Sequence, residues 1–263
     1  MKKIALLITV GLFAMAHADV VVNFTAPAAT AVNARAADTN IAGQGSAVWN
    51  FSDNSNPLFN KTDITNGKVH GGFITTWAGG STYTPAFTMG TVSSANTIQL
   101  SVSAGTVNTT LKGMLVWDKS DFLGAAQSQK ISFSSGDYIS YQTGPITLGT
   151  GDFRIAVKKG DDWYVSATTG HTGTTTYNNN TAALTALTWY DMDTSNYTIG
   201  SVASITLSDI DAVGLYLSGA RTGNLSRVSI QNFTVAAIPE PATIGMLGFG
   251  GLLAFLLRRQ YLK

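Results

Sequence analysis

The stretch Gly151-Asp152-Phe153-Arg154-Ile155-Ala156-Val157-Lys158-Lys159-Gly160-Asp161-Asp162-Trp163-Tyr164-Val165-Ser166-Ala167 reverses direction in its middle. Phe153, Ile155 and Val157 alternate with Arg154, Ala156 and Lys158, which is the period of a half-buried strand. Gly160-Asp161 supplies turn residues and Trp163 to Ser166 a return strand, so Phe153–Ala167 reads as a β-hairpin. Two registers fit. A two-residue turn pairs Lys158 with Trp163 and Val157 with Tyr164, placing Tyr164 in the core and Trp163 on the solvent face. A three-residue loop exchanges the two, because side-chain direction has period two. The same Gly-Asp-aromatic order occurs at Gly136-Asp137-Tyr138 and Gly151-Asp152-Phe153, where each Gly-Asp is expected to turn the chain into a strand.

Outward from the hairpin, apolar residues keep recurring in strand-sized runs bounded by Gly, Pro, Asn and Ser. These are Val20 to Phe24, Val48 to Phe51, Gly72 to Trp77, Ala86 to Met89, Ile98 to Val102 and Met114 to Trp117, then Ala186 to Tyr190, Asp211 to Leu217 and Val228 to Val235. The apolar phase slips between Ile230 and Phe233, which predicts a bulge near Gln231-Asn232. The Ala-rich segment Pro27 to Gly45 suits one helical turn or an irregular loop. Thr168 to Thr185, rich in Thr, Gly and Asn, reads as an exposed excursion with too little apolar matter to build core. No amphipathic helix, internal repeat or linker interrupts the body. The expectation is a single all-β domain over residues 19–237, an antiparallel β-sandwich.

Composition agrees and excludes several functions. Charged residues make up 12% of the chain and Gly numbers 27, a balance that suits tight turns better than helices. Removing the terminal Lys2, Lys3, Arg258, Arg259 and Lys263 from 16 Lys/Arg leaves 11, and removing Glu240 from 15 acids leaves 14. The body is therefore about −3, with no basic footprint for nucleic acid. Cysteine is absent, which removes disulfides, thiol chemistry and Cys-ligated zinc.

Catalytic constellations are hard to assemble. Glu240 is the only glutamate, so a glycosidase would have to pair aspartates. Asp161-Asp162, Asp191/Asp193 and Asp209/Asp211 are close in sequence, but all sit at turns or strand starts, where Asp is expected for local hydrogen bonding. Two histidines lie beyond residue 18, His70 and His171, both read as loop residues, and no Gly-x-Ser-x-Gly elbow occurs. Asp191-Met192-Asp193-Thr194-Ser195 begins like a calcium loop, but Val202 stands where the twelfth-position glutamate would be. A structural calcium is thus a secondary expectation beside an ordinary turn. Trp49, Trp77, Trp117, Trp163-Tyr164 and Trp189-Tyr190 lie on expected strands and mostly suit core positions. In an adjacent pair one member should face outward, which makes Trp163, Tyr164, Trp189 and Tyr190 the candidate carbohydrate-binding residues.

The termini carry addresses. Met1 to Ala18 has the parts of a signal peptide: Lys2-Lys3, the apolar run Ile4 to Ala14, and Ala16-His17-Ala18 as the cleavage site, leaving Asp19 first after signal peptidase acts. At the other end, residues 238–263 hold Pro239-Glu240-Pro241, an apolar run from Ala242 to Leu257 and Arg258-Arg259. That run is barely long enough for a membrane helix, with the arginines on the cytoplasmic side and the body on the other.

Pro239-Glu240-Pro241-Ala242-Thr243, the Gly/Leu-rich Leu247 to Leu252 and Arg258-Arg259, in that order, resemble the PEP-CTERM sorting signal of Gram-negative bacteria. The resemblance implies recognition by an exosortase-type membrane enzyme, removal of the tail near the motif, delivery to the surface or beyond, and an association with exopolysaccharide. Val213-Gly214-Leu215-Tyr216-Leu217 followed by Val228 to Val235 resembles the jelly-roll domains of carbohydrate-binding modules. The leading expectation is a non-enzymatic exported protein of the surface or extracellular matrix. A carbohydrate-binding module using exposed aromatics is the rival, and a divergent secreted polysaccharide hydrolase is a third reading.

Overall fold

A computed structural model of the chain describes residues 19–25, 33–36, 39–41, 44–47, 70–77, 86–92, 95–103, 108–143, 150–168, 176–222 and 225–239. The expected signal peptide, the strand Val48 to Phe51 and the apolar run of the tail lie outside them. Strands occupy β1 (Asp19–Thr25), β2 (Asn33–Ala36), β3 (Thr39–Ile41), β4 (Gln44–Ala47), β5 (His70–Trp77), β6 (Ala86–Val92), β7 (Ala95–Ser103) and β8 (Asn108–Asp118). They continue with β9 (Ile131–Ser132), β10 (Tyr138–Thr143), β11 (Thr150–Lys159), β12 (Asp162–Ser166), β13 (Thr176–Asn180), β14 (Trp189–Asp193), β15 (Thr198–Ala203), β16 (Ala212–Thr222) and β17 (Leu225–Pro239).

Two antiparallel sheets result, and they form a jelly-roll-like β-sandwich. One runs β13-β10-β17-β7-β6-β2, with β1 and β9 also paired to β17; the other runs β15-β14-β12-β11-β16-β8-β5-β4-β3. Strand β17 is the spine of the first sheet. Ile230 pairs with Ile98 of β7 on one side and Thr143 of β10 on the other. Farther along, Ala236 pairs with Val20 of β1 and with Tyr138 of β10. The expected bulge is present: Asn232 pairs with Gln142 and Ile230 with Thr143, leaving Gln231 as the extra residue. A second register shift, between Val20 and Val22, turns consecutive Val21 and Val22 both inward.

The inward faces make one core in which Trp117 stacks on Phe233, ring centroids 4.9 Å apart, with Phe24 tilted against it at 5.3 Å. Burial of each such ring stabilises by about 1.5–3 kcal/mol. The hairpin adopts the two-residue turn, with Val157 opposite Tyr164 and Lys158 opposite Trp163. Gly160 has φ 63°, a conformation that favours glycine at this tight reversal.

Several expectations need correction. The Ala-rich segment contributes β2, β3 and the start of β4 instead of a helical turn or an irregular loop, because β5 and β6 offer open ladders that override weak local preference. The Asn-rich half of the supposed excursion is β13 on the edge of β10, followed by a short helix, Thr181–Ala186, whose Leu184 is fully buried in the core. Gly151-Asp152 does not turn the chain; it lies inside β11, paired with Gly219 and Ser218. His70 opens a strand opposite Val116 instead of lying in a loop. The last strand runs to Pro239, two residues past the expected body.

Candidate functional site

The four aromatic candidates separate by register. Trp163 and Val165 point to the side of the second sheet away from the main core, yet Trp163 is only 7% exposed. That face is covered: Met114, Val116, Ala156, Met192, Tyr197, Ala212 and Tyr216 form a second buried cluster with it. Tyr197, from the turn joining β14 to β15, is fully buried there. The expected solvent face for Trp163 is therefore a correction, caused by a distant segment that no strand periodicity reports. Trp189 is also buried, at 4%, on the main-core side. Neither tryptophan offers a ring to a ligand.

The tyrosines are half-buried. Tyr190 packs against the second cluster with the Arg154 guanidinium 5.7 Å from its ring centroid, so a cation–π contact occupies it. Arg154 is held in turn by Asp152 at 2.9 Å and by the Ser166 carbonyl at 3.1 Å. Asp152 also accepts a hydrogen bond from the Thr168 hydroxyl.

Tyr164 stands differently. It packs on the edge of the main core, directly opposite exposed Asp191, with exposed Asp162 two residues before it. Burial first, and then the negative charges of Asp162 and Asp191, raise the pKa of its phenol. Ser201 donates its hydroxyl proton to Asp191 Oδ2 at 3.2 Å. A half-buried ring beside two carboxylates and a hydroxyl offers an apolar surface and several hydrogen-bonding groups at one rim of the sheet.

Of the aspartate pairs, Asp193 and Asp211 have structural roles. Asp193 Oδ1 accepts from the Ser195 hydroxyl at 2.7 Å and the Ser195 N–H at 2.8 Å, and these bonds hold its carboxyl below the ordinary range. Asp211 is 7% exposed, with Lys119 Nζ 2.7 Å from Oδ1, and with Lys130 Nζ at 3.7 Å and the Gly160 N–H at 3.0 Å from Oδ2. Burial alone would raise its pKa, but the Lys119 and Gly160 hydrogen bonds and the lysine charges overcome that and lower it. These groups line an open cleft of about 340 Å³ with Asp118, Lys158 and Asp161. Both oxygens of its most buried carboxylate are already engaged, so Asp211 acts as a tie between the hairpin turn and the segments of Lys119 and Lys130. Among the described residues no group of three or more His, Cys, Asp or Glu could hold a metal ion.

The sorting residues meet the fold at the end of β17. Asp19, the expected mature N-terminus, pairs with Ala237, and Val20 with Ala236. Ile238 and Pro239 pair with Ser132 and Ile131 of β9. Ala16, Ala18, Glu240, Pro241, Arg258 and Arg259 lie outside the described residues. Sequence reading missed that β17 carries on into the motif; the apolar Ala236-Ala237-Ile238 that continues from Val235 is the signal for it.

Residues 237–260 match the PEP-CTERM protein-sorting motif, so the C-terminal segment is a sorting tail and the chain an exported protein handled through it. No curated protein matches the chain. Among solved structures, the family 11 carbohydrate-binding module of a cellulosomal cellulase of Clostridium thermocellum aligns at TM-score 0.34 and 12% identity, over 82% of this chain and 99% of that one. The family 11 module from the same organism with a β-1,3-1,4-mixed-linked tetrasaccharide aligns at 0.32 and 13%, over 64% and 91%. Superpositions that loose carry no argument about ligand.

Proposed function

We propose that this chain is an exported, non-catalytic β-sandwich protein of the cell surface or extracellular matrix. An exosortase-type enzyme removes its tail, signal peptidase removes residues 1–18, and the body associates with exopolysaccharide. The sorting motif continuous with the last strand carries this reading. Its non-catalytic character is supported by the acids: the sole glutamate lies in the tail, and Asp152, Asp193 and Asp211 are engaged by Arg154, Ser195 and Lys119. The test is fractionation of cells carrying Glu240→Ala/Pro241→Ala, which leaves the sheet residues untouched. The variant is expected to accumulate uncut in the membrane fraction. Release at the wild-type level would contradict the sorting role.

A second reading, carbohydrate binding, is favoured by Tyr164 with Asp162, Asp191 and Ser201. A sugar's C–H face can stack on the half-buried ring while its hydroxyls donate to the carboxylates. Affinity electrophoresis in gels cast with the host's exopolysaccharide tests it. Retardation lost on Tyr164→Ala supports the reading, and no retardation of the wild-type protein counts against it.

A further inference from the structure

Strands β11, β12 and β14 carry two aromatic–carboxylate assemblies, one on each face of the second sheet. On the face away from the main core, the Arg154 guanidinium lies 5.7 Å from the Tyr190 ring centroid, and Arg154 Nε donates to Asp152 Oδ2 at 2.9 Å. There a ring and a carboxylate enclose a cation that the chain itself supplies. Asp191 follows Tyr190 along β14, so it projects to the other face, directly opposite Tyr164 of β12. Asp162, two residues before Tyr164, shares that face. Directly opposite residues stand about 5 Å apart and i, i+2 neighbours about 7 Å, so both carboxylates border the tyrosine. No cation of the chain fills this second assembly. Among the described residues the ion pairs go to Asp152 and Asp211, and none to Asp162 or Asp191. Lys159, opposite Asp162 in the register, instead turns its Nζ to the Thr206 hydroxyl at 2.7 Å and the Thr206 carbonyl at 3.2 Å. Asp191 accepts from the Ser201 hydroxyl through Oδ2 alone, which orients the carboxylate and leaves Oδ1 to a ligand.

We propose that this rim binds a cationic amino sugar: the ammonium of a glucosamine-type unit sits at the Tyr164 ring between Asp162 and Asp191, as the Arg154 guanidinium sits between Tyr190 and Asp152 on the opposite face. The face of the ring and the two carboxylates attract the positive charge, the ammonium protons are donated to carboxylate oxygens, and the C–H face of the sugar covers the apolar ring. A uronate brings a further negative charge to the same rim and is repelled. An N-acetylated unit keeps the stacking and loses the charge. The ligand class is thus a glycan with unsubstituted amino groups. This inference rests on the carbohydrate reading of Tyr164 proposed above.

Titration calorimetry at low salt, with protein recovered from the extracellular fraction and three oligomers of equal length, tests it: glucosamine, N-acetylglucosamine and galacturonate. The glucosamine oligomer is expected to bind roughly tenfold tighter than its N-acetylated counterpart, and the galacturonate oligomer not at all. Asp191→Asn is expected to erase the preference. Asp161→Asn removes the same charge from an exposed turn position outside the rim and is expected to keep it. A preference that survives Asp191→Asn, or falls equally in Asp161→Asn, belongs to overall charge and would overturn the site. Equal affinity for the two amino-sugar oligomers, lost on Tyr164→Ala, would overturn the cationic selectivity and leave the carbohydrate reading standing. Silence toward all three oligomers would overturn this inference, while retardation by the host's exopolysaccharide separately decides the carbohydrate reading.

Discussion

Asp19 lies opposite Ala237 in an antiparallel pair, so the first residue after the expected signal peptide faces the residue two short of Pro-Glu-Pro. The two ends of the described chain, Asp19 and Pro239, therefore belong to neighbouring strands, β1 and β17.

The proposed removal of residues 1–18 by signal peptidase has its own test. Ala18→Leu enlarges a position that signal peptidase requires to be small. The variant is expected to keep an N-terminal peptide starting at Met1 and to stay with the membrane fraction even where its tail is removed. A start at Asp19 in this variant would contradict the assigned site.

Asp211 predicts acid sensitivity. Its folded pKa is depressed, so its stabilisation is fully present above the unfolded value of about 3.9 and is lost as pH falls through the folded value. Asp211→Asn, which breaks the Lys119 and Lys130 pairs, should cost about 1–3 kcal/mol at pH 7. Urea melts should show the wild-type advantage shrinking from pH 5 toward pH 2. Parallel pH profiles for the two proteins would contradict the tie.

Gly214 admits no side chain. A Cβ there would sit 2.1 Å from the Leu115 carbonyl oxygen and 2.7 Å from the Val116 Cα, so Gly214→Ala must push β16 off β8. The cost is expected at about 1–3 kcal/mol or more. At Gly200 the nearest atom is the Asp191 Cβ at 3.4 Å, and Gly200→Ala should be close to neutral. Thermal melts that ranked the two the other way would be inconsistent with the packing described.

The aromatic pairs give a test that separates fold from ligand. Trp163→Ala and Trp189→Ala each empty a buried site and should cost about 3–5 kcal/mol. Tyr164 is half-buried, and its removal should cost less than about 1.5 kcal/mol. Loss of polysaccharide retention in the tryptophan variants therefore has to be read beside their melting curves, whereas loss in Tyr164→Ala at unchanged stability points to the rim itself.

Period-two alternation made the strands legible, and the phase slip at Ile230–Phe233 pointed to a bulge near Gln231-Asn232, because both are local consequences of side-chain direction. The hairpin register was narrowed by Gly160-Asp161 to two choices, one of which is present. What could not be read was long-range. Tyr197 and Met192 bury Trp163 from another part of the chain, and β5 and β6 recruit an Ala-rich segment with little strand preference of its own. Leu184 joins the core from a run that is otherwise polar. The sorting tail was legible because a linear motif is read as sequence; that its first proline ends a strand was not, since the partner Ile131 lies more than a hundred residues away.

On the proposed function, the body reaches the cell surface or the medium without either terminal segment. Intact mass measurement of the protein recovered from the cell surface and medium reads this out. The expected mass is that of a chain starting at Asp19 and lacking the Arg258-Arg259 end. A surface population with the mass of the full chain, Met1 to Lys263, would contradict it.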